Sequence, residues 1–201
     1  MFDTALRPET TLSGALDIEA LISRTPRSYT VKGMFCTRFA DMLGDTYQRI
    51  EPKLAAPPRG GRFVAFKDYP QGDYTRIVAA AAAKRFPELG LCEAMRRIAR
   101  DDIATFSSSM FGRIVLTVIG DARTSLLRVP DAYHRIAPGP TVRAEDLDPH
   151  VTRITFDGYC GSIEYVLGQL EGIVLSYGRT PVVTVHKSGA DALSFDVVHD
   201  G

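Results

Sequence analysis

The chain has only three cysteines, four histidines and no net charge. Each scarcity excludes something. Cys36, Cys92 and Cys160 are isolated and odd in number. They fit no disulfide framework, zinc spacing, C-x-x-C or C-x-x-C-H motif, so they read as buried, reduced thiols of a cytosolic protein. His134, His150, His186 and His199 include no pair at metal-ligand spacing, neither H-x-x-x-H nor H-E-x-x-H. The 24 basic and 24 acidic residues cancel. That balance gives no bulk electrostatic argument for nucleic acid or an anionic membrane as partner, and near-neutrality eases self-association. No apolar run reaches the roughly 20 residues that span a bilayer, and no basic stretch followed by an apolar core opens the chain. The expectation is a cytoplasmic protein with no membrane and no nucleic-acid partner.

What is present is ordinary globular composition, 45% hydrophobic and 24% charged over 201 residues, enough for one well-cored domain. The clearest architecture lies at residues 151–198. Thr152, Ile154 and Phe156 alternate with Arg153, Thr155 and Asp157, the period of a half-buried strand. A helix is predicted over 162–177, with Ser162 as N-cap, Glu164 complementing its dipole and Gly178 ending it. Ile163, Val166, Leu167, Leu170, Ile173, Val174 and Tyr177 form one apolar stripe for the sheet. Gly168 and Gly172 fall on the other side, beside Tyr165 and Leu175. Two interior glycines cost roughly 1 kcal/mol each relative to alanine, so they predict close approach of another backbone, within the chain or from a second subunit. Residues 182–187 and 193–198 read as a hairpin.

Upstream the pattern is helical. Residues 1–29 form a lead-in with a short helix at 17–23, and a single α+β domain occupies 30–199. Met34, Phe35, Phe39, Met42 and Leu43 fit one helix face, stopped by Gly44. After a proline- and glycine-rich loop, a helix begins at Gly72 or Asp73 and ends before Phe86-Pro87. Its alanine run, 79–83, suits a rod packed by several neighbours. A further helix spans 91–106, with Arg96, Arg97 and Arg100 read as a solvated basic face balanced by Asp101 and Asp102. Residues 109–119 read as a buried helix. Two short helices follow at 122–129 and 130–136, then an extended connection or edge strand at 141–147. Helices first and sheet late make an α+β fold: an N-terminal helical bundle, then an antiparallel sheet with one crossing helix.

No catalytic constellation stands out. Ser107-Ser108-Ser109 lacks the glycines of a nucleophile elbow, and Arg59-Gly60-Gly61-Arg62 is too short for a phosphate loop. Asp101-Asp102 and Glu145-Asp146 are neighbours in sequence, and adjacent helical positions do not face each other. An enzyme would need Asp68, Arg113 and His134, or similar residues, gathered from distant segments.

Several motifs carry a resemblance. Val31-Lys32-Gly33-Met34-Phe35, Phe66-Lys67-Asp68-Tyr69-Pro70, Phe106 through Gly112-Arg113, Pro130-Asp131-Ala132-Tyr133 and the Gly168-x-x-x-Gly172 helix with its hairpin occur in this order. Together they resemble an uncharacterised family known as a large paralogous set in myxobacteria, over about residues 30–198. At the level of layout the chain also resembles heme-NO/oxygen-binding domains, vinyl-reductase ligand-binding domains and TRAPP subunits. That second resemblance implies a small-molecule sensor or a dimerising scaffold. Heme-binding members use a Tyr-x-Ser-x-Arg motif for the propionates. This sequence has no such spacing, and His134 is the histidine that an axial role would fall to, so heme is disfavoured as a cofactor.

The resulting expectation is a non-enzymatic regulatory or sensor module binding a small apolar ligand between helices and sheet. Its cavity would be lined by Phe35, Phe39, Phe66, Tyr69, Phe106, Phe111 and Tyr133, although aromatics at helical spacing equally make ordinary core. The alternative is a protein-interaction or homodimerisation scaffold using Tyr165, Gly168, Gly172 and Leu175. No metal site is expected.

Overall fold

A computed structural model describes residues 5–108, 114, 118–187 and 192–199. The expected helix at 109–119 lies mostly outside the described residues, as do Phe111 and Arg113.

Among the described residues a five-stranded antiparallel sheet carries the C-terminal half. Its strands are β1 (Ala5–Leu6), β4 (Thr141–Asp148), β5 (Val151–Asp157), β6 (Val182–Lys187) and β7 (Ala192–Val198), in the order β1-β6-β7-β5-β4. β5 buries Thr152, Ile154 and Phe156, the alternation its sequence dictates, and β7 opposes it with Leu193, Phe195 and Val197. β4 is an edge strand, paired among the described residues with β5 alone. The lead-in contributes more than a docked helix: β1 pairs with β6, Leu6 against Val183.

A second pair, β2 (Thr30–Lys32) with β3 (Asp68–Pro70), frames the helical layer. That layer comprises α1 (Ile18–Arg24), α2 (Gly33–Leu43), α3 (Tyr47–Ile50), α4 (Gln71–Arg85) and α5 (Leu91–Ser108). Then come α6 (Ala122–Leu127), α7 (Val129–Ile136) and the crossing helix α8 (Ile163–Leu175). α8 starts on the Ser162 cap, whose hydroxyl accepts from Tyr165 N–H. Downstream, Gly178 turns the chain at φ 71°, a left-handed conformation that costs glycine nothing.

Three expectations need correction. α2 begins at Gly33, and its phase buries Cys36, Phe39 and Leu43 while leaving Met34 exposed and Phe35 and Met42 half-buried. Asp73 does not start α4. It is buried in the first turn, where its carboxylate accepts from Ala55 and Ala56 N–H at 2.7 and 2.9 Å and pins the preceding loop. Arg96 is wholly buried instead of solvated. The alanine run behaves as expected for a crowded rod: Ala79, Ala81 and Ala82 are buried, and α4 touches α1, α2, α3 and α5.

Two hydrophobic cores result. One fills the helical layer around Phe39, Ile77, Val78, Met95 and Ile98. The other lies between the sheet and α8, around Ile154, Phe156, Leu170 and Phe195. α8 separates them. Its stripe of Val166, Leu170 and Val174 faces the sheet, and its glycine face lies on α5.

On the sheet's other surface Asp196 is held by Arg153 (2.6 and 2.7 Å) and His186 (2.9 Å). Burial alone would raise its carboxyl pKa, yet the bonds from Arg153 and His186 bring it below the usual value. A lowered folded-state value stabilises the fold above the unfolded pKa and is lost as pH falls through the folded one. Asp196→Asn is therefore less stable than the parent above about pH 5, and the gap closes as the pH drops below about 4. Urea unfolding at a series of pH values measures it.

Candidate functional site

The seam between the two cores is where the polar chemistry of the interior gathers. Tyr74 of α4 and Tyr165 of α8 join through their hydroxyls at 2.7 Å, both rings buried. Beside them Asp102 of α5 pairs with Arg38 of α2 at 2.5 Å, and burial raises the Asp102 pKa despite that arginine. In the turn before α8, the Tyr159 hydroxyl donates to Ser162 O at 3.1 Å. Tyr133 of α7 donates to Gln169 Oε1 at 2.8 Å and packs edge-on against Phe156. Burial pushes the Tyr74, Tyr133, Tyr159 and Tyr165 pKa values far up. They are neutral hydrogen-bonding groups, and none is an activated nucleophile or base. A gap of about 20 Å³ remains between Tyr74, Val78, Met95, Tyr159 and Tyr165, room for about one water.

Further along the seam lies a buried ion cluster that inspection of the sequence missed. Arg96 donates through Nε to Glu171 Oε2 at 3.0 Å and through Nη2 to Glu171 Oε1. Its remaining N–H groups reach the carbonyls of Arg7 (2.7 Å) and Thr10 in the N-terminal segment. Glu93 lies 3.5 Å from Arg96 and accepts from Leu12 N–H at 3.0 Å. Arg100 approaches Glu171 at 3.3 Å and donates to Pro8 O, and its own pKa is lowered by burial. The sequence held one clue: Glu171 sits beside Gly172 on the packing face of α8. A carboxylate there has to find buried cations.

The glycine face is thus filled from within the chain. A Cβ on Gly168 would come 2.1 Å from Arg96 O, and one on Gly172 would come 2.7 Å from Ile103 Cβ. Tyr165 is buried in the helical core, and Leu175, at the end of α8, is 37% exposed. At Gly168 and Gly172 the face offered in the alternative reading as a dimer surface is occupied by α5.

The aromatic set expected to line a cavity is divided. Phe39 and Tyr69 lie in the helical core with Phe35 packed against it, whereas Tyr133 packs on the sheet core. Phe66 is 80% and Phe106 40% exposed. Asp68 is paired with Lys32 at 2.8 Å on β3, and His134 is exposed on α7, so these two form no common site. Cys36 and Cys92 are buried, which pushes their thiols up to about 12 and about 11, and Cys160 is half-buried. No group of three or more His, Cys, Asp or Glu side chains among the described residues is placed to hold a metal. A wider depression of about 260 Å³ opens on the surface by Asp121, Arg123, Tyr177, Arg179 and His199. Its Asp121 caps α6 through Thr124 N–H and its Arg123 pairs with Asp146.

Among solved structures the fold matches H-NOX proteins. The Fe(II) unliganded H-NOX protein from K. algicida superposes with a TM-score of 0.63 at 13% identity, covering 85% of this chain and 97% of that one. The S. oneidensis protein in its Fe(II)NO ligation state gives 0.63 at 14%, covering 85% and 99%. A variant of the T. Tengcongensis protein gives 0.61 at 16%, covering 85% and 98%. At these identities the likeness is one of fold.

Since the first two of those proteins carry iron, and heme distortion has been probed in the H-NOX family, the fit of heme can be tested on this chain. Histidine is a common axial ligand. Here His134 points from the outside of a helix, His150 is exposed in a turn, His186 is engaged with Asp196, and His199 is buried against Thr152. The gap at the seam is more than tenfold below the roughly 300 Å³ at which ligand pockets begin. Where α5 and α8 meet, Gly168 admits no atom beyond a hydrogen. The described residues do not fit heme.

No curated protein matches the chain by sequence. A family model does match, over residues 24–198. That match spans most of the chain, and the chain belongs to the family of proteins of unknown function DUF2378.

Proposed function

We propose that this protein is a non-enzymatic cytosolic regulatory module that senses a small apolar ligand at the seam between α4, α5 and α8. The observation that carries the proposal is the construction of the seam. Two separate cores meet there through tyrosine hydroxyls and ion pairs, around a small gap walled by Tyr74, Val78, Met95, Tyr159 and Tyr165. A ligand larger than one water enters only by parting α4 from α8, and that breaks the Tyr74–Tyr165 hydrogen bond. Binding and rearrangement then become one event, as signalling by population shift requires. Each tenfold rarity of the open form weakens apparent affinity tenfold, so a ligand that stays bound must hold the open form tightly. The shared layout with H-NOX proteins is consistent with a sensor, and the misfit of heme points to a ligand that is not a porphyrin.

Hydrogen exchange tests the opening. Amides at the start of α8, residues 163–167, are expected to exchange together with those of 71–78 through an opening well below the free energy of global unfolding. If both segments exchange only with global unfolding, the seam does not open and the ligand reading fails.

A further inference from the structure

We infer that the turn at Val64-Ala65-Phe66-Lys67 is a docking surface for an anionic lipid bilayer. Its backbone is held firmly. Lys67 N–H donates to Val64 O, Gly33 and Met34 N–H donate to the carbonyls of Lys67 and Ala65, and Val64 N–H donates to Tyr69 Oη. Gly33 permits this contact, since a Cβ there would lie 2.3 Å from Val64 O. Yet the side chains are left outside. Phe66 is 80%, Val64 61% and Met34 47% exposed, while Phe63 one residue earlier is buried against Tyr69. A large aromatic held out on a fixed turn is a presented group, and together the three side chains expose roughly 300 Å², the size at which a surface apolar patch is often functional.

Charge identifies the occupant. Over residues 59–67 the sequence Arg-Gly-Gly-Arg-Phe-Val-Ala-Phe-Lys contains three cations and no acid. Arg59, Arg62 and Lys67 are exposed, and none of them is in an ion pair among the described residues. Lys67 sits over the Tyr69 ring, and the neighbouring Asp68 is taken by Lys32. The chain as a whole is neutral, so this is a local feature that whole-chain charge conceals. An apolar tip flanked in sequence by exposed cations matches a bilayer interface, where acyl chains take the aromatic side chain and anionic headgroups take the cations. A stable protein interface buries more than about 500 Å² on each partner, beyond the apolar area of this turn. The inference is independent of the ligand seam, and no membrane-spanning helix is involved.

Vesicle flotation of the full chain tests it, with phosphatidylcholine vesicles against vesicles of phosphatidylcholine mixed with phosphatidylserine. The expected result is binding to the mixed vesicles only, weakened at least roughly tenfold by Phe66→Ser. Arg62→Glu/Lys67→Glu or added salt weakens it similarly. All three side chains are exposed, so unchanged thermal unfolding of the variants shows that the fold is intact. Absence of flotation with either vesicle overturns the inference. So does binding indifferent to Phe66, or concentration-dependent self-association that Phe66→Ser abolishes, which would assign the patch to a second copy of the chain.

Discussion

Replacing Glu171 with alanine destabilises the protein by about 3–5 kcal/mol, the range for removing one partner from a buried ion pair. Arg96 has no exposed surface, and both of its bonded nitrogens on that side face Glu171. Without the carboxylate it keeps Glu93 and the carbonyls of Arg7 and Thr10, which places the loss toward the lower end of the range. Arg100 loses the same partner at 3.3 Å. The midpoint of urea unfolding measures the loss at constant slope. The double replacement Arg96→Met/Glu171→Leu removes the central pair at similar volume and recovers part of the stability; Glu93 keeps Leu12 N–H and Arg97, and Arg100 keeps Pro8 O, so neither is left without a partner. A cost for Glu171→Ala below about 1 kcal/mol would mean that solvent reaches the cluster. The cluster also ties residues 7–12 across α5 and α8, so the alanine variant frees the N-terminal segment to faster hydrogen exchange.

Gly168→Ala destabilises by about 3 kcal/mol, although alanine is the better helix former by about 1 kcal/mol. Packing decides the sign. The added methyl meets a backbone carbonyl, Arg96 O, at 2.1 Å, and a backbone atom cannot swing aside as a side-chain end can. α5 and α8 must move apart, along the line that also holds Arg96 against Glu171. At Gly172 the nearest atom is Ile103 Cβ, at 2.7 Å, so the same substitution there is also unfavourable. Thermal unfolding of both variants checks the pair. A stabilised Gly168→Ala would show that propensity outweighs contact, and that the two helices are further apart than described.

These two positions also mark how far local pattern reaches. The period-2 alternation of β5 and the two-faced periodicity of α8 are properties of consecutive residues, so both were legible, as were the Ser162 cap and the hairpin of β6 and β7. The glycines announced a close approach, and the partner turned out to be α5 of the same chain. Arg96 was misread because its counter-charge lies 75 residues away on another helix. Nothing within α5 distinguishes an arginine that meets a buried glutamate from one that meets water. Asp73 was misread for a related reason: a carboxylate at a helix start caps its own helix or pins a distant loop, and here Ala55 and Ala56 claim it. The described members of the aromatic set are divided between two cores and the surface, and Phe66 is outside although Phe63, three residues earlier, is buried. Hydrophobicity alone does not say which of the two goes inside.

The central claim is a seam that takes a small ligand and leaves no place for heme. Native mass spectrometry of the freshly purified protein, with an absorbance spectrum of the same sample, tests it most directly. The account predicts a colourless protein carrying extra mass that leaves on denaturation. A stoichiometric Soret band would contradict the exclusion of heme, and a bare chain in every preparation would contradict the ligand.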